Sequence, residues 1–198
     1  MIDSDDELNK AVARASELLQ EIHNYCRDAG HPWGDVPKAK IRFPRGFIRP
    51  ASGQRARIPF VEDANLKSNI AYTLILSDAI LWLSIRTDIY GVPLEMLTKV
   101  YVFILGSICE SITKDYLRGS CGKNYKGRTE YMVNKKIIDK SLKTDLDWLW
   151  DTRNNMHLFL LNRREYKTEY DYKCHNRAVL AFRGLIKALR TRDRPRKS

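Results

Sequence analysis

The chain has 198 residues, 43% of them hydrophobic, and 35 Lys+Arg against 24 Asp+Glu give a net charge of +11 and a pI near 9.6. That composition supports one sizeable domain and excludes a wholly disordered chain or a mini-protein. The cation excess points to polyanions, nucleic acid foremost, with an ordinary basic surface as the alternative.

Ser4 and Glu7 have capping-box spacing, and Leu8, Val12, Ala15, Leu18, Leu19 and Ile22 trace a helical stripe that predicts a first helix to about Arg27. Gly30 and Pro32 end it. The acidic start, MIDSDDELNK, is unlike a signal peptide.

Residues 31–62 change character: five prolines, three glycines, and Lys38, Lys40, Arg42, Arg45, Arg49, Arg55 and Arg57 against Asp35 and Glu62. The proline content predicts an irregular basic insert. Trp33, Phe43, Phe47 and Phe60 are expected to pack it onto the body, which leaves the basic side chains free for phosphates.

Asp63 or Asn65 can cap a second helix running to about Thr87, with Ile70, Ala71, Leu74, Ile75, Ile80, Leu81 and Trp82 mostly buried. Ser77 and Asp78 interrupt its apolar run, so no stretch reaches the roughly 18 apolar residues of a membrane span. Gly91 and Pro93 mark a turn. Leu97, Val100, Tyr101, Ile104, Leu105, Ile108, Cys109 and Ile112 then predict the most hydrophobic helix, to about Arg118, with one acid, Glu110, in the middle of its C-terminal half. Residues 119–128, GSCGKNYKGR, read as a loop that lacks the lysine-serine ending of a P-loop.

A helix or helix pair follows over 131–161, with 141–144 as the candidate break, and a last helix over about 165–190 carries Tyr166, Tyr170, Cys174, Val179, Phe182, Leu185, Ile186 and Leu189. The tail, TRDRPRKS, is basic and reads as disordered. No strand shows convincing alternation. The expected architecture is all-α, a bundle of about five helices forming one domain over 1–190, with 191–198 as a tail. Cys26, Cys109, Cys121 and Cys174 include no CxxC pair, so neither a disulfide framework nor a four-cysteine zinc site is signalled. His23 with Cys26, and Cys174 with His175, are weak metal candidates; no metal, cofactor or membrane association is expected, and the location expected is cytoplasmic, with reduced thiols.

The stretch 145–161, DLDWLWDTRNNMHLFLL, is the most informative. Leu142, Leu146, Leu149, Trp150, Leu160 and Leu161 recur at helical spacing, and Arg153 and His157 fall on the same face. An unpaired charge buried in such a stripe is costly, so the stripe must meet a polar partner, a ligand or a second subunit there. Asn154 adjoins the arginine, and Asp151 lies one turn before Asn155. A planar guanidinium can hold a phosphate, and an imidazole that titrates near neutrality can move a proton. The pair suits phosphodiester cleavage without metal, with His157 exchanging the proton of a ribose 2′-hydroxyl or leaving oxygen and Arg153 stabilising the phosphorane.

The RNNMH sequence in a late helix, together with the earlier helical LGSICESITKDYL, resembles the HEPN superfamily, named for higher eukaryotes and prokaryotes nucleotide-binding. The resemblance covers about 65–189. It implies a small all-α bundle of the kind found among RNases in toxin–antitoxin, phage-defence and RNA-processing systems. Arg153, Asn154 and His157 match the arginine, polar and histidine places of the family motif, and Glu110 matches an acid on the preceding core helix. Three residues separate Arg153 from His157, fewer than is usual in the family. The resemblance further implies a homodimer whose two Arg/His helices face one another across a composite cleft.

Lys38, Lys40, Arg42, Arg45 and Arg49, with Arg163 and Arg164 beyond the Arg/His helix, are the candidate RNA-backbone contacts. The leading expectation is an endoribonuclease, with RNA and a second copy as partners and an antitoxin or effector protein as a further candidate. A non-catalytic RNA- or protein-binding bundle stands beside it. So does a monomer in which Arg153 and His157 bond to Glu110 and Asp151.

Overall fold

The computed structural model describes residues 1–31, 40–122, 124–155 and 169–191. Among them all regular structure is helical: α1 (Asp5–Asp28), α2 (Ala51–Ala56), α3 (Ala64–Arg86), α4 (Val92–Tyr116), α5 (Tyr125–Asn134), α6 (Lys140–Asn154) and α7 (Tyr172–Arg190). The all-α expectation is borne out. The chain divides into two compact units, Met1–Arg45 and Gly46–Ser198, where the sequence reading has one domain.

In the first unit, α1 begins where the capping box predicts. Ser4 Oγ accepts from Glu7 N at 3.2 Å, and Glu7 Oε2 accepts from Asp3 N at 2.8 Å. Asp5, Asp6 and Glu7 complement the helix dipole in its first turn. The helix ends before Gly30, which takes φ +65°.

The second unit is organised around α4, which packs on α3, α5, α6 and α7. A helix apolar on nearly every side must be enclosed. Ile104, Leu105, Ile108, Cys109 and Ile112 of α4 accordingly lie in one core with Leu146 and Leu149 of α6, Met132 of α5, and Phe182 and Leu185 of α7. By length and composition alone α3 and α4 could each cross a membrane, with mean hydropathy 1.4 and 1.6 over their most apolar windows. The interior helix of a bundle meets the same criterion, and half of that window in α4 is buried.

The helices number seven among the described residues, against about five from periodicity, and two differences account for this. Residues 31–62 are not irregular throughout: α2 forms between Pro50, its extended N-cap, and Pro59 beyond its end. Proline excludes helix only from positions that need its N–H or clash with its ring, so it brackets a six-residue helix without harm. Secondly, α5 starts within the glycine-bearing stretch read as a loop, because Asn124 Oδ1 caps it by accepting from Lys126 N at 3.2 Å. The break before α6 falls at 135–139 rather than 141–144. Lys136 takes φ 54° there, Ile137 N donates to Met132 O at 2.7 Å, and Asp139 caps α6 through Leu142 N at 2.8 Å.

Helix α7 begins at Tyr172, capped by Asp171 through Cys174 N at 2.8 Å. Tyr170 therefore lies in the turn before it rather than on its stripe. The predicted start near Glu165 lies outside the described residues, as does the tail from 192 onward.

The segment leading into α2 is fastened by a buried carboxylate. Asp78 of α3 accepts from Arg49 N and Nε, each at 3.1 Å, from Arg49 Nη2, and from Gln54 Nε2 at 2.9 Å. At the other end of α2, Arg190 donates to the carbonyls of Ala56 and Arg57 at 3.2 and 3.0 Å.

Candidate functional site

Arg153 stands in the last turn of α6, on the face that meets α4, and its side chain is about one-third exposed. It can lie there because α4 carries Gly106 at the crossing. A Cβ on Gly106 would come within 2.8 Å of Arg153 Cβ and 3.1 Å of the Leu149 carbonyl oxygen. Glycine removes that obstacle, and the backbones approach closely.

The guanidinium is then held from three sides. Nη2 pairs with Glu110 Oε2 at 3.1 Å, Nε donates to Ser107 Oγ at 3.4 Å, and Nη1 donates to Asn154 Oδ1 at 2.9 Å. Cζ lies 5.9 Å from the centre of the Phe103 ring. Phe103, Ser107 and Glu110 recur at helical spacing, so one stripe of α4 supplies the aromatic, hydroxyl and carboxylate contacts. A charge on an apolar stripe is here answered by a carboxylate and two oxygen acceptors.

Three of the four predicted catalytic residues, Arg153, Asn154 and Glu110, thus come together. His157 lies outside the described residues. Asp151, offered as a partner in the monomeric reading, is engaged elsewhere: it pairs with Lys126 of α5 at 2.9 Å. Cys109, next to Glu110, is no alternative nucleophile, because complete burial pushes its thiol far above the usual range.

Among the predicted RNA contacts, Lys40, Arg42 and Arg45 are exposed. The Arg49 side chain is tied to Asp78, and that carboxylate raises its pKa, chiefly through their hydrogen bond. Lys38, Arg163 and Arg164 lie outside the described residues. The Phe60 ring meets Tyr116 edge-on at 6.5 Å, in the packing role expected of it.

A basic hollow that the sequence reading did not single out lies where α2 ends against α7. It has a volume of about 320 Å³, and its charged lining among the described residues is Arg57, Arg183, Lys187 and Arg190. Burial pushes the Arg57 pKa down, and the charges of Arg49 and Arg183 add to the effect. The residues missed at the Arg153 cluster are Ser107 and Phe103, placed by helical spacing from Glu110, and Gly106, whose signal was a glycine inside an otherwise apolar helix.

No group of three or more His, Cys, Asp or Glu side chains with metal-binding geometry occurs among the described residues. Comparison with family models, curated proteins and solved structures finds no match.

Proposed function

We propose that this chain acts on RNA as an endoribonuclease of the HEPN type. Arg153 stabilises charge on the phosphorane, His157 is the general acid/base, and Glu110 and Asn154 orient the arginine. The observation that carries this reading is the arginine fixed at a helix crossing by Glu110, Ser107 and Asn154. A preorganised guanidinium stabilises developing charge without having to reorient during the reaction. Its remaining N–H groups are the ones available to phosphate oxygens.

The basic hollow of Arg57, Arg183, Lys187 and Arg190 supports the polyanion part of the reading, as does the net charge of +11. A homodimer with facing α6 helices would place two Arg/His pairs along one cleft. Cytoplasmic location and a role in toxin–antitoxin or defence systems, with an antitoxin or effector protein as partner, belong to the same proposal.

The test is to incubate purified protein with RNA in the presence of a chelator. Cleavage is expected, and it should be lost in His157→Ala and Arg153→Ala proteins that keep the helical circular dichroism of the parent. Full activity in either variant rules the assignment out. A second reading, a non-catalytic RNA-binding bundle, is favoured by one observation: Glu110 already neutralises Arg153 within a single chain. It expects salt-sensitive RNA binding, weakened by Arg183→Ala and Arg190→Ala, with no cleavage.

A further inference from the structure

The hollow between the end of α2 and α7 gathers its cations from two elements. Arg183, Lys187 and Arg190 recur at helical spacing along about 10 Å of α7, and Arg57, the residue that ends α2, lines the same space. Ile186 and Thr191 complete the lining among the described residues. The helix dipole accounts for Lys187 and Arg190, in the last turn of α7, but Arg183 lies two turns before that end.

Two of the four cations are fixed in place. Gln54 is fully buried, and its Nε2 donates to Asp78 at 2.9 Å, which leaves Oε1 to accept from Arg57 Nη1 at 2.7 Å. A buried amide oriented by a carboxylate thus sets the Arg57 fork, whose Cζ lies 5.7 Å from the centre of the Phe182 ring. Arg190 donates through Nε and Nη2 to the carbonyls of Arg57 and Ala56, at 3.0 and 3.2 Å. Thr191 Oγ1 donates to the carbonyls of Lys187 and Ala188, at 3.4 and 3.3 Å, and so occupies acceptors at the end of α7 that an anion would otherwise meet.

Like charges held together repel, and the repulsion is felt at Arg57. Burial lowers its pKa, Arg49 and Arg183 lower it further, and the attraction of Asp78 does not offset them. Arg183, Lys187 and Arg190 are exposed, so their charges are open to a solute. None of the four cations pairs with a carboxylate among the described residues. A bound anion of several charges would relieve that repulsion.

We propose that the hollow binds a diphosphate group, with Arg57 and Arg190 as fixed forks on its oxygens and Arg183 and Lys187 as adaptable cations beside them. A diphosphate concentrates several negative charges within the reach of all four cations, whereas a backbone phosphodiester brings one. The site is separate from the Arg153 cluster. Asp145 pairs with Arg177 while Leu142 lies against Gly184, so α6 and α7 run antiparallel. Arg153 stands roughly 16 Å beyond Leu142 along α6, in the direction away from the end of α7. The proposal goes beyond the RNA reading and does not rest on it, and its failure would leave the cleavage assay at Arg153 untouched.

Isothermal titration of the full chain at low salt tests it, with pyrophosphate as the probe. One site per chain is expected, with sulfate at matched ionic strength and the dinucleotide UpU, a single phosphodiester, each at least about tenfold weaker. Arg183→Ala and Lys187→Ala alter exposed side chains and should each weaken pyrophosphate by about threefold or more. Arg57→Met should weaken it by about tenfold or more, with its thermal midpoint recorded alongside. Lys173→Ala, which removes a charge at the other end of α7, should leave the affinity unchanged. UDP binding more tightly than pyrophosphate would identify the ligand as a nucleoside diphosphate, and equal affinities would identify it as the free diphosphate. The proposal is overturned by no binding at millimolar pyrophosphate, by sulfate or UpU binding equally well, by undiminished affinity in both Arg183→Ala and Lys187→Ala, or by an equal loss in Lys173→Ala.

Discussion

Gly106 and Arg153 touch across the α4–α6 crossing so closely that a methyl group on Gly106 would stand 2.8 Å from Arg153 Cβ. The obstruction lies at the root of the arginine and at the Leu149 carbonyl, 3.1 Å away, neither of which can swing aside. Gly106→Ala gains up to about 1 kcal/mol of helix propensity but forces the helices apart, at about 1–3 kcal/mol for overpacking. Net destabilisation in urea is the expected outcome. Gly184→Ala is the control: its new methyl would meet the Leu142 Cδ1 terminus at 2.9 Å, a flexible group that can rotate away. Gly184 lies inside α7, so this substitution keeps the helix-propensity gain of up to about 1 kcal/mol and its stability should equal or exceed that of the parent.

The Arg153–Glu110 pair separates stability from activity. Both side chains are about one-third exposed, and such pairs contribute about 0–1 kcal/mol. Glu110→Gln and Arg153→Lys should therefore unfold within about 1 kcal/mol of the parent. If Arg153 stabilises the phosphorane with a planar fork, lysine cannot replace it, and RNA cleavage should fall by about a hundredfold or more. Denaturant midpoints and cleavage rates measured on the same preparations check both halves.

Legibility of the sequence followed the range of the interactions. The caps at Ser4 and Asp63 depend on residues three apart, and both form as expected, with Asp63 Oδ1 accepting from Leu66 N at 2.8 Å. The Arg153 anomaly was visible because it broke a periodic stripe, and Glu110 stood out as an acid on an apolar helix. Periodicity says nothing about which helices cross where, so the roles of Gly106 and Ser107 were hidden. Helix α2 is shorter than any window that can show a helical period, and the Arg49–Asp78 pair spans 29 residues with no pattern to announce it.

That Arg49–Asp78 pair should dominate the stability of the 49–61 region. Asp78 is 2% exposed and Gln54 fully buried, so Asp78→Ala removes the acceptor of a buried amide and of a guanidinium together. Each buried donor left without an acceptor costs about 1–3 kcal/mol, and Asp78→Ala strands both the Gln54 amide and the Arg49 backbone N–H, more than the loss expected at the Arg153 pair. Arg49→Ala should cost less, because Gln54 continues to donate to the carboxylate. Urea titration of the two variants gives the order, and limited trypsin digestion at Arg55 and Arg57 should accelerate most in Asp78→Ala.

Thiol chemistry gives a probe of the core that needs no substrate. Cys109 is completely buried, and desolvation pushes its pKa far up, while the half-buried Cys174 is pushed up to about 11. Burial disfavours the thiolate, so the reactive form of each thiol becomes appreciable only as pH rises through its raised pKa. At pH 8, about three units below the Cys174 value, roughly one Cys174 in a thousand is thiolate. Alkylation of Cys174 should thus be slow and should accelerate about tenfold per pH unit up to about pH 10. Cys109 should react only through opening of the α4–α6–α7 core, at a rate that tracks global stability. Mass spectrometry after timed iodoacetamide exposure resolves the sites. Gly106→Ala, by loosening the helix crossing three residues away from Cys109, should speed labelling there while leaving Cys174 labelling unchanged.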